Sequence, residues 1–127
     1  MRIRKTSQYI EGGTGLPSYF TDEIDTGMKW IDGKTIYRKV FTGTFLSNND
    51  TVILTTSNNI DKIINQYGNI NNIEGLNVPI GTAYYARTGE LTRVVVTTTH
   101  NLALNAKQEF YANMNYQAVV EYTKTTD

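Results

Sequence analysis

One dipeptide constrains this chain more than any other feature. Asp32 and Gly33 stand between "MKWI" and "KTIYRKVF", two stretches rich in large apolar and β-branched side chains. Asp-Gly is the favoured content of a two-residue hairpin turn, because both central positions need positive φ and glycine adopts it without strain. Trp30 and Ile31 should therefore lead into the turn, with Lys34 to Phe41 returning beside them. In such a turn Trp30 lies opposite Thr35 and Met28 opposite Tyr37, and opposed residues share a face. Trp30, Met28, Tyr37 and Phe41 then form one aromatic-rich surface with Trp30 as a core anchor. Lys29, Ile36 and Arg38 fall on the other face.

The rest of the chain repeats this strand-and-turn alternation. "TVILTT" is a short strand bracketed by the turn clusters "SNND" and "SNN". In "NIDKIINQYGNI", Ile60, Ile63, Ile64 and Tyr67 fit a helical stripe. The segment spans barely two turns, however, and runs into Asn and Gly among strand-like neighbours, so a strand is expected. Pro79 in "NVPIGTAYYAR" suits an edge strand. "ELTRVVVTTTH" is the clearest strand, with β-branched residues from Thr92 to Thr99. "LALNA" follows a turn near His100 and Asn101, and "YQAVVEYTK" closes the chain. Seven or eight strands separated by Asn/Gly turns point to an all-β fold, an antiparallel β-sandwich or jelly-roll-like knob. The Gly-rich "EGGTGLP" marks residues 1–19 as an extended N-terminal arm, either frayed or serving attachment. Residues 20–127 form a single domain.

Charge and cysteine usage narrow the function. With 12 basic and 12 acidic residues among 127, the chain lacks the basic excess a nucleic-acid binder uses to neutralise phosphate. No apolar run is long enough for membrane insertion, and no apolar core follows the basic start as in a signal peptide. The absence of cysteine removes disulfides, thiolate metal sites and thiol nucleophiles together.

Catalytic patterns are faint. His100 is the single histidine and has no nucleophile motif near it, so it reads as a turn residue. The clusters Asp22, Glu23, Asp25 and Asn48, Asn49, Asp50 lack the spacing of a dedicated calcium loop and read as solvated turns; no metal or other cofactor is expected. Asp61, Glu74, Glu90 and Glu109 are scattered singly, without a visible pair for glycoside hydrolysis. Aromatic and polar groups remain: Tyr84, Tyr85 and Arg87, then Phe110, Tyr111, Asn113 and Tyr116. Rings beside Arg and Asn grip sugars or proteins by apolar stacking and directed hydrogen bonds. Strand alternation puts one of Tyr84 and Tyr85 inward. Tyr85, Arg87, Tyr111 and Asn113 are the candidate ligand-binding residues.

"YFTDEIDTGMKWIDGKTIYRKVF" resembles a segment of tail-fibre, baseplate and receptor-binding proteins of bacteriophages and prophages. The usual pattern there is Tyr-Ser-Thr-Glu-Glu, a gap, then Gly-x-Trp-Ile-Asp-Gly-Lys-x-Ile-Tyr. Phe20 replaces the Ser, whereas Gly27, Trp30, Ile31, Asp32, Gly33, Lys34, Ile36 and Tyr37 are kept. The closing "AVVEYTKTTD" is similar to the family ending. The resemblance spans residues 19–127, with specific ends and a loose middle. It implies a non-enzymatic β-sandwich domain of a virion appendage, homotrimeric, held to other virion proteins through the arm and meeting host-surface carbohydrate. A decoration or joining protein without host ligand is the alternative, and a cell-surface glycan hydrolase a more distant one.

Overall fold

The computed structural model describes residues 19–45, 51–72, 74–75, 77–80, 84–85, 90–105 and 113–127. Among them run ten strands and no helix: β1 (Ile24–Lys29), β2 (Thr35–Thr44), β3 (Thr51–Ile53), β4 (Ile60–Asn71), β5 (Asn77–Pro79), β6 (Tyr84–Tyr85), β7 (Glu90–Leu91), β8 (Arg93–Val96), β9 (Leu102–Asn105) and β10 (Asn115–Lys124). A five-stranded sheet has the order β1-β2-β10-β4-β5, a three-stranded sheet the order β3-β9-β8, and β6 pairs with β7. All these pairings are antiparallel. The two larger sheets make the β-sandwich that the turn spacing predicts.

The C-terminal strand organises the larger sheet. β10 pairs with β2 from Asn115↔Thr44 to Tyr122↔Tyr37 and with β4 from Asn115↔Asn71 to Lys124↔Ile60. That pairing settles the Ile60 segment as a strand: its backbone groups find partners along β10, and its apolar residues need not gather on one helical face. Tyr116, Ala118, Val120 and Tyr122 of β10 are buried and point inward. They meet Phe41, Phe45 and Ile70 of the same layer and Val94, Leu102 and Leu104 of the smaller sheet. Each fully buried side chain of this size contributes about 1.5–3 kcal/mol relative to exposure. Pro79 lies in β5 at the sheet edge, as expected of a residue that cannot donate to a ladder. The strand expected over 92–99 is shorter, because Thr97 opens a turn: its N–H donates to the Asn101 carbonyl at 2.8 Å.

One inward polar side chain joins the sheets. Gln66 Nε2 donates to the Val94 carbonyl at 2.9 Å, and Val94 N–H donates to Gln66 Oε1 at 2.7 Å. The amide thus gives β8 the two hydrogen bonds a neighbouring strand would give, which satisfies Gln66 in the interior.

The hairpin exists, but its turn is one residue longer than expected. Trp30 N–H donates to the Lys34 carbonyl and Gly33 N–H to the Trp30 carbonyl, both at 2.9 Å. Only Gly33 has positive φ, +87°; Asp32 does not. This is the three-residue loop with glycine in the left-handed position, the next most common hairpin solution. Lys29 therefore pairs with Thr35 and Asp25 with Tyr37, with a register shift at Gly27 between them. The expected aromatic surface is accordingly split. Phe41 enters the core and Tyr37 packs on it, whereas Met28 is 48% exposed and Trp30 stays half-buried outside the core cluster. Ile36, on the opposite face, is buried instead.

Gly68 has a different constraint. Its φ is +131°, and a Cβ there would stand 2.0 Å from the Gln117 carbonyl oxygen of β10. At Gly33 the same atom would meet nothing within 4 Å, so only backbone strain opposes a side chain. Gly68→Ala should thus cost more stability than Gly33→Val, about 3 kcal/mol or more against about 1–2 kcal/mol. Urea midpoints of the two variants give the comparison, and equal losses would contradict the steric account of Gly68.

Candidate binding cleft

Of the residues picked from sequence, Asn113, Tyr116 and the backbones of Tyr84 and Tyr85 fall among the described residues. Asn113 is exposed in the turn before β10, at φ +65°, with its N–H donating to the Phe45 carbonyl at 3.2 Å. Tyr85 pairs with Glu90 and Tyr84 with Leu91 through their backbones in the β6–β7 ribbon, the extent of their description. Arg87, Phe110 and Tyr111 lie outside the described residues, as do Asn48, Asn49, Asp50 and Glu109. Tyr116 is not a surface group: its ring packs 5.1 Å from that of Phe45, and burial pushes its phenol pKa up. No group of acidic or histidine side chains that could hold a metal forms among the described residues.

His100 serves a turn. The bonds Thr97 N–H to Asn101 carbonyl and His100 N–H to Thr97 carbonyl repeat those of the Asp32-Gly33 loop, with His100 at φ +61° in the place of Gly33. Its Nδ1 lies 3.1 Å from the Ile60 carbonyl oxygen. Beside it, Asn101 donates to Asn58 Oδ1 at 2.6 Å and accepts from Thr55 Oγ1 at 3.1 Å. These contacts tie the β8–β9 turn to the 55–58 loop.

That loop forms one wall of a cleft of about 430 Å³. Leu54, Ile60 and the buried Tyr122 supply its apolar floor, while Thr55, Thr56, Ser57 and Asn59 line it with hydroxyl and amide groups. Glu23, Lys39 and Lys124 supply charge. Tyr122 Oη donates to Glu23 Oε1 at 2.6 Å, and Lys124 Nζ to Glu23 Oε2 at 2.5 Å. Burial, reinforced by the Glu23 carboxylate, keeps the Tyr122 phenol protonated far above its ordinary range. Lys124 Nζ also lies 4.3 Å from the Tyr37 ring centre, a cation–π contact. Lys39 Nζ sits 5.2 Å from the Phe41 ring centre. Glu23 is the single carboxylate lining the cleft among the described residues, and both its oxygens are engaged. Sequence reasoning passed over the cleft because its parts come from three strands, the loop after β3 and the segment before β1, none carrying a motif.

At the hairpin, Lys34 Nζ and Lys62 Nζ donate to Asp61 Oδ2 at 2.9 and 3.1 Å. Lys62 also lies 3.5 Å from Asp32 Oδ2. Asp32 and Gly33 thus shape a loop that is pinned to β4.

Comparison with protein-family models, with curated proteins and with solved structures finds no significant match.

The Asp61 contacts make a pH prediction. The hydrogen bond from Lys34, then that from Lys62, holds the Asp61 carboxyl below its usual range. A depressed folded-state pKa gives stability that is fully present above the unfolded value, about pH 4, and lost as pH falls through the folded value. Asp61→Asn should therefore be less stable than wild type near pH 7 and approach it toward about pH 2. Urea midpoints against pH measure the gap; a gap that stays constant would mean the contact is not ionic.

Proposed function

We propose that this chain is a non-enzymatic structural and binding domain of a phage-particle appendage, a tail fibre or baseplate, that meets carbohydrate on the host surface. Its place is the virion, where residues 1–19 join it to other virion proteins. The observation that carries the reading is the lining of the cleft: hydroxyls, an amide and ammonium groups around an apolar floor, with one carboxylate already bonded on both oxygens. This is a recognition surface in chemical character. The sandwich supports the same reading, since it presents loops on a rigid scaffold. So does the resemblance of the Trp30–Tyr37 hairpin and the Glu121–Asp127 ending to appendage proteins.

Three-fold self-association completes the proposal. Among the described residues the two larger sheets end in edge strands at β1, β5, β3 and β8, and closed cyclic assembly protects such edges. A single weak sugar site with millimolar affinity amounts to about 4 kcal/mol. Three linked sites on one surface raise avidity by roughly 10² to 10⁴.

The test is sedimentation of the full chain at micromolar concentration, followed by pull-down on cell walls of the host bacterium. A trimer that binds the walls is expected. The double variant Tyr85→Ala, Tyr111→Ala, if folded, should bind less. A monomer would remove the trimer. Wild type that binds no wall would favour a decoration protein, and a variant that binds equally well would remove Tyr85 and Tyr111 from the ligand seat.

A further inference from the structure

Lys39 is in an unusual position. It stands directly across from Val120 on β10, and Val120 stands across from Gln66 on β4, so the three form one inward-facing row of the large sheet. Val120 is fully buried in the core. Gln66 is reconciled with the interior by its two bonds to Val94. Lys39 has no corresponding hydrogen bond among the described residues. Among the described residues its ammonium touches the Phe41 ring and pairs with no carboxylate. The charge reaches the cleft along the ring, as long cationic side chains do when their stems are buried.

The charge balance of the cleft then identifies what is missing. Lys124 is matched by Glu23 at 2.5 Å, which leaves Lys39 as the one cleft charge without an ion-pair partner among the described residues. Across the cleft, the exposed Thr56 hydroxyl has no hydrogen-bond partner among the described residues. Ser57 Oγ donates to Asn59 Oδ1 at 2.6 Å and keeps lone pairs to accept.

We propose that the cleft takes a hydroxylated ligand bearing one acidic group, a carboxylate or a phosphate ester, with Lys39 as its counter-ion and Thr56 and Ser57 as hydroxyl partners. This rests on reading the chain as a binding domain and adds the ligand's charge and its seat. A neutral sugar would leave the inward ammonium unpaired. A simple inorganic anion would leave the hydroxyl wall unused. Salt should weaken the contact, because an exposed ion pair is screened.

The experiment is NMR titration of the full-length protein with glucuronate, glucose 1-phosphate, glucose and inorganic phosphate. The variants are Lys39→Gln, Lys39→Arg and Thr56→Val, with Lys29→Gln, on the exposed hairpin, as charge control. Shifts at Thr55 to Asn59 with one or both acidic sugars are expected, with glucose weaker by about tenfold. Lys39→Gln should lose about the same factor, Lys39→Arg should keep binding, and Lys29→Gln should not matter. The preferred acidic sugar distinguishes a carboxylate from a phosphate source. Glucose binding as well as the acidic sugars, indifference to Lys39→Gln, or no shift with any probe would overturn the proposal. Inorganic phosphate binding as tightly as glucose 1-phosphate, with Thr56→Val silent, would overturn the hydroxylated ligand. Host-wall binding that survives Lys39→Gln would leave the appendage reading standing while removing this cleft as its ligand seat.

Discussion

The backbone of β10 finds hydrogen-bond partners on both edges, and the rest of the molecule is arranged around that requirement. Its neighbours β2 and β4 come from far earlier in the chain, so the large sheet can close only when the last residues arrive. Contacts of such long sequence separation make folding slow relative to local structure, because loop closure precedes the stabilising contacts. The arrangement also explains why β10 is the most consistently buried long strand: with ladders on both sides and the smaller sheet across one face, little of it remains for solvent. Gly68 belongs to the same constraint, since any side chain there would displace the β10 backbone at Gln117.

The space between the sheets is not wholly apolar. Along the row Lys39, Val120 and Gln66, one residue is apolar, one amide is satisfied by backbone, and one charge leads outward to the cleft. A half-buried amide with both bonds made fixes how far one sheet slides over the other, a specificity that apolar packing alone provides less sharply. The cleft is lined by the same strands β2, β4 and β10. Tyr122 and Lys124 emerge from the core there and meet Glu23, which comes from the segment before β1.

The fold class was legible from turn chemistry and β-branched runs, and the Ile60 strand from its length and neighbours. Register was less so. Asp-Gly fills both two- and three-residue loops, and the choice rests on bonds that sequence does not specify; one residue of difference moved Trp30 and Met28 away from the core. The second loop of this type was hidden because His100 occupies the glycine position, and histidine is only mildly enriched at positive φ. Tyr116 illustrates a further limit: rings favour sugar surfaces and cores alike, and alternation along β10 decided for the core. The cleft was illegible for a topological reason. Glu23 and Lys124 are separated by almost the whole domain in sequence and become neighbours only through β10.

The Glu23 contacts have a mechanical consequence. Tension transmitted through the residues before Tyr19 would reach the Phe20 carbonyl bond to Val40 and then Glu23, before it reached the β1–β2 ladder. A hairpin strand pulled from its free end opens one hydrogen bond at a time, which is the weak direction of a sheet. Glu23 shifts part of that load sideways onto Tyr122 and Lys124 of the central strand, whose two ladders share it. A pull on that segment would thereby be taken up at the middle of the sheet, although the segment meets the sheet at an edge.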